Sequence, residues 1–172
     1  MFGWLKGRRA KEQEFFESMM TAAASGEQRA RINRALGSLG VELPPADKNS
    51  DFSVKASAEF IKALSHSSGI SLVSPTDDEA FVLGIFSLIT SDYVSQKVGA
   101  QFEGVATVAF LDAFGLRSQQ RLPEILGSYN EMATKGDMTK VIGTVLARWF
   151  SQPSPENFKT VQNLLDECIR HA

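Results

Sequence analysis

Few side chains in this sequence can do acid, base or nucleophilic chemistry, and their spacing limits what each can do. Ser65-His66-Ser67-Ser68 sets a general-base type beside hydroxyl nucleophile types. Catalysis by such a pair needs the two hydrogen-bonded, and adjacent residues on a helix point in different directions. His66 is therefore expected to be a polar helix-end residue near the C-terminal carbonyls. Asp77, Asp78 and Glu79 form the densest run of carboxylates, the ligand type of calcium and magnesium. No calcium-loop spacing accompanies them, and a helix starting there explains them through its positive N-terminal dipole. Glu167 and His171 stand one helical turn apart, a spacing that permits pairing or a shared metal. At a fraying helix end, a solvated pair is the expectation. Cys168 falls four residues after Leu164 and seven after Val161, which places it on an apolar stripe as a small hydrophobe.

Larger constellations are missing. The sequence holds no Gly-x-Gly phosphate fingerprint, no Gly-x-x-x-x-Gly-Lys-Ser/Thr loop, no His-Glu-x-x-His and no Gly-x-Ser-x-Gly elbow. Two histidines and one cysteine are too few for a Cys/His zinc site, and one cysteine forms no intramolecular disulfide. The expectation is no catalytic residue, no metal and no cofactor, with a non-enzymatic role favoured over an enzymatic one. A reducing, cytoplasmic location is the simpler reading of that cysteine usage.

The N-terminus carries adhesive chemistry instead. Phe2, Trp4 and Leu5 interleave with Lys6, Arg8, Arg9 and Lys11, and Phe15, Phe16, Met19 and Met20 follow. Large apolar groups in a short, Gly-broken segment have little local core to join. Three destinations are open to them: the protein's own body, a partner's groove, or an anionic membrane surface. Glu12, Glu14 and Glu17 weaken the membrane reading by adding negative charge to the helix that follows, so membrane contact would be weak and salt-sensitive. Polar residues directly after the basic start also argue against a secretory signal. Arg29, Arg31 and Arg34 form a smaller basic group. Without an aromatic stacking platform, and with a net charge of −2 for the chain, nucleic-acid binding is disfavoured.

Positioning these groups falls to helices. Composition is ordinary for a soluble globular protein, 43% hydrophobic and 22% charged in 172 residues, which excludes wholesale disorder. Apolar positions recur at helical spacing almost throughout, so the chain reads as all-α, a multi-helix bundle of about eight helices with an N-terminal helical arm. A first helix over about 9–24 carries Phe15, Phe16, Met19, Met20 and Ala23. Ser25-Gly26-Glu27-Gln28 resembles a capping box opening a second helix with Ile32, Ala35 and Leu36 inward. A third helix spans about 53–66, and Ile70 to Val73 reads as briefly extended. Ser74-Pro75 starts a helix over 76–95 whose residues Ala80 to Ile89 are apolar almost all round, so it must be covered on every side. That run is well short of the ~20 residues that span a bilayer. A fifth helix, 99–114, bears Phe102, Val105, Ala106, Ala109, Phe110 and Ala113, and Gly115 should end it. Pro123 opens the sixth, which stops at Gly136. Asp137 caps the seventh, with Val141, Val145 and Trp149 inward. Ser154-Pro155 opens the last, whose stripe is Phe158, Val161, Leu164, Leu165 and Cys168.

Pro44-Pro45 interrupts this periodicity and divides the chain into an arm (1–43), a linker (44–50) and a helical body (51–172). The leading expectation is a soluble interaction or regulatory protein. Its arm engages a protein partner or a second copy of the chain through Phe2, Trp4, Leu5, Lys6, Arg8, Arg9, Phe15, Phe16, Met19 and Met20. A peripheral membrane protein anchored by the aromatic and basic start is the first alternative, and a ligand-binding or enzymatic helical domain the second.

Overall fold

The computed structural model describes residues 3–112 and 121–172, with residues 3–12 as helix backbone alone. The described residues form seven helices and no strand: α1 Gly3–Gly37, α2 Asn49–Ser67, α3 Asp77–Val98, α4 Gly104–Asp112, α5 Leu122–Lys135, α6 Asp137–Ser151 and α7 Pro155–Arg170. The all-α expectation holds. Ala113 and Gly115, assigned to the end of the fifth helix, lie outside the described residues.

Helix α3 is the axis of the bundle and touches each of the other six helices. Every residue from Val82 to Ser91 is buried, as an all-round apolar helix requires. Because α3 has no solvent face there, its polar side chains need internal partners. The Ser57 hydroxyl on α2 donates to the Ser87 carbonyl oxygen at 2.7 Å, and the Thr107 hydroxyl on α4 donates to Ser91 Oγ at 2.9 Å. These bonds fix the register of α2 and α4 on α3. Phe60 of α2, Trp149 and Phe150 of α6 and Phe158 of α7 form an aromatic cluster that joins these three helices.

Several helix boundaries differ from the sequence reading. The break expected at Ser25 is absent, and α1 runs on through it, which merges two expected helices into one. Ser25 does not cap; its hydroxyl accepts from Asn49 Nδ2 at 2.7 Å. One Gly costs a helix about 1 kcal/mol, and the good helix formers around Gly26, from Ala22-Ala23-Ala24 to Glu27-Gln28-Arg29, offset it. Helix α3 is capped by Thr76 rather than opened with Pro75 at its first position, and Asp137 is the first residue of α6 rather than its cap. Helix α4 begins at Gly104, so Phe102 precedes it and packs on Tyr129 with ring centroids 5.5 Å apart. Ile70 to Val73 forms no strand, and Val141 is 50% exposed instead of inward.

At the start of α3, Glu79 N–H donates to Thr76 Oγ1 at 3.2 Å while Thr76 N–H donates to Glu79 Oε2 at 2.7 Å. This reciprocal box satisfies two helix-end donors. Thr76→Ala is expected to cost about 1 kcal/mol in urea unfolding, with the slope of the transition unchanged. A loss under 0.3 kcal/mol would show that water replaces the cap without penalty.

Candidate interaction surface on the N-terminal helix

Helix α1 divides into two stretches with different surroundings. Its C-terminal stretch buries Ile32, Ala35 and Leu36 in the common core. From Gln13 to Ala24, every residue is exposed. Within that stretch Phe15 is 68% exposed, Phe16 63%, Met19 57% and Met20 58%. At roughly 100° per residue, the line through Phe15, Phe16, Met19, Met20 and Ala23 lies about 180° round the helix from the line through Ser25, Ile32, Ala35 and Leu36. The apolar stripe thus faces away from the body. The polar side of the same stretch, with Ser18, Thr21 and Ser25, borders an open cleft of about 500 Å3 towards Asn49 and Val98.

Side-chain bonds hold α1 at the point where it leaves the body. Asn49 Nδ2 reaches both Ser25 Oγ and the Val98 carbonyl oxygen, the latter at 2.8 Å, and so joins α1, α2 and α3. Arg29 donates from Nη1 to the Ala46 carbonyl oxygen at 3.1 Å and lies over the Phe52 ring, 4.9 Å from its centroid. Lys55 Nζ donates to the Pro45 carbonyl oxygen at 2.7 Å. The Pro-marked segment is therefore tied at consecutive carbonyls, and α1 leaves the body at a defined angle.

The basic group of the sequence reading is split by this arrangement. Arg29 turns to the linker, whereas Arg31 is exposed and lies 3.7 Å from Glu27, one turn earlier. Of the residues assigned to partner contact, Phe15, Phe16, Met19 and Met20 share the exposed stripe. Phe2 and the side chains of Trp4, Leu5, Lys6, Arg8 and Arg9 lie outside the described residues.

The groups with catalytic chemistry are scattered. His66 is exposed at the end of α2. Glu79 is engaged in its capping box, and the Asp77 carbonyl oxygen accepts from Arg121 Nη1 at 2.6 Å. Arg121 also clasps Glu124, which holds the Glu124 carboxyl below its ordinary value, and it lies over the Phe81 ring. Glu167 and His171 are not within ion-pair distance of each other. Cys168 is half-buried, and burial followed by the Glu167 charge pushes its thiol up, so it carries less thiolate than a free cysteine at neutral pH. Among the described residues, no group of three His, Cys, Asp or Glu side chains is placed to hold a metal, and no helix is long and apolar enough to cross a membrane. Comparison with protein-family models, with curated proteins and with solved structures finds no match to this chain.

Proposed function

We propose that this is a non-enzymatic interaction or regulatory protein whose N-terminal helix engages a protein partner or a second copy of the chain. One observation carries the reading: four large apolar side chains form a stripe on the outer side of α1, beyond reach of the core. A contiguous exposed apolar face on a monomer marks an interaction surface more often than an incidental one. Phe16, Met19, Met20 and Ala23 follow the i, i+3, i+4, i+7 spacing by which one helix seats on another. Burying a phenylalanine or methionine contributes about 1.5–3 kcal/mol, so the stripe can supply several kcal/mol against the cost of association.

The decisive variant is Phe16→Asp with Met20→Asp. Deleting residues 1–43 is less informative, because it also removes Ile32, Ala35 and Leu36 from the core. Wild type is expected to sediment as a dimer or to hold a stoichiometric protein that also binds in purified form. The double variant is expected to lose that association while its melting temperature stays within about 2 °C, as for other surface changes. A wild-type chain that stays monomeric and captures nothing, or a double variant that keeps its associations, would refute the reading. Anionic-vesicle binding lost in the double variant, without protein association, would move the stripe to a membrane surface instead.

A further inference from the structure

Helices α3, α5 and α6 line a second open cleft, of about 460 Å3. Small residues on α5 and α6 leave part of its space open. Ala133, Gly143 and Ala147 line it, and a β-carbon built on Gly143 would meet nothing within 4 Å. On α3, Ile89, Asp92 and Gln96 follow helical spacing and form the facing wall.

Two opposite charges line the cleft, Asp92 from α3 and Lys140 from α6. They are not within ion-pair distance of each other, and among the described residues neither has another ionic partner. A neutral donor holds Asp92 instead. Gln96 Nε2 donates to its Oδ2 at 3.1 Å, and buried Tyr129 lines the same cleft. The Tyr129 phenol is pushed up by burial first and then by the Asp92 charge, so it keeps its proton. A carboxylate has about four acceptor positions, which leaves Asp92 room for a further donor from the cleft. Lys140, a flexible point charge on the opposite helix, supplies donors of its own.

We propose that this cleft binds a small zwitterion of the amino-acid class, with its ammonium on Asp92 and its carboxylate on Lys140. Ile89, Ala133 and the space over Gly143 accommodate the apolar remainder. A ligand carrying only one of the two charges forgoes the charge-assisted contact on the other wall and binds more weakly than the zwitterion.

The test is calorimetric titration of the intact protein with each of the twenty common amino acids. For the best binder, its decarboxylated amine and deaminated acid follow. The amino acid is expected to bind at least about tenfold more tightly than either analogue. Asp92→Asn is expected to weaken the amino acid and the amine about tenfold but not the acid. Lys140→Met should weaken the amino acid and the acid but not the amine. Gly143→Leu fills the cleft and is expected to abolish binding, and as leucine is the better helix former, the fold should be retained, as circular dichroism would check. No binding by any amino acid at about 10 mM, or binding indifferent to all three substitutions, would overturn the proposal. So would an amine that binds as tightly as its parent amino acid.

Discussion

Trp149→Ala is expected to lower stability by about 3–5 kcal/mol, a drop of roughly 10 °C in melting temperature for a chain of this size. The indole is completely buried, and its ring centroid lies 5.0 Å from that of Phe60, 4.7 Å from Phe150 and 5.6 Å from Phe158. Removing it opens the largest cavity any single truncation can make there, and that cavity sits where α2, α6 and α7 meet. The ring also carries a penalty, because its Nε1 is buried and has no hydrogen-bond partner among the described residues. A buried orphan donor costs about 1–3 kcal/mol. Trp149→Phe deletes that donor while keeping most of the aromatic packing, so it is expected to cost less than half as much as the alanine change. Urea or thermal unfolding of both variants separates the two effects. Equal losses would mean that the phenyl ring recovers none of the packing the indole supplies. A loss below 1 kcal/mol for alanine would mean that the cluster repacks.

How much of this was legible depends on whether the signal was local or relational. The all-round apolarity from Ala80 to Ile89 required cover on every side, and α3 is covered on every side, because burial of a whole circumference needs no knowledge of the neighbours. The stripe from Phe158 to Leu165 was readable for a similar reason, since a helix with one apolar face has one way to lie. The arm shows the limit. Phe15, Phe16, Met19 and Met20 have the spacing of a core stripe, and periodicity reports that a face is apolar without reporting what covers it. Only the continuity of α1 through Gly26 sets that stripe opposite Ile32 and Leu36, and Ser25-Gly26-Glu27-Gln28 pointed towards a break. A capping signal is local, whereas the partner that takes the Ser25 hydroxyl, Asn49, comes from another helix. The cleft was illegible for the same reason. Asp92 and Lys140 lie far apart in sequence, and the clue to the space between them was the small-residue pair Gly143 and Ala147, one turn apart on α6.

The close approach of α5 to α3 is relational too, and it gives the second large effect, Gly84→Leu, expected to cost about 3 kcal/mol. Gly84 sits in the fully buried middle of α3, and a β-carbon there would lie 2.9 Å from Ile125 Cδ1 and 3.2 Å from Ile125 Cγ2. A methyl group can be accommodated by a small shift of the isoleucine, and alanine gains about 1 kcal/mol of helix propensity over glycine. Gly84→Ala should therefore be nearly neutral. Leucine adds three more carbons with no space to enter, since Ile125 is itself completely buried and α5 must move outward. Making room by Ile125→Ala should cost about 3 kcal/mol alone, yet the double variant Gly84→Leu/Ile125→Ala should lose well under the sum, because leucine fills the volume the isoleucine vacates. Chemical unfolding of the four proteins measures that coupling, expected at about 1–3 kcal/mol. Strict additivity would mean that the two side chains do not compete for the same space. The same displacement reaches the cleft, because Tyr129 stands one turn beyond Ile125 on α5 and lines the cleft together with Asp92. Gly84→Leu should therefore also weaken zwitterion binding under conditions where the variant remains folded, and adding Ile125→Ala should restore that binding by letting α5 return to its place.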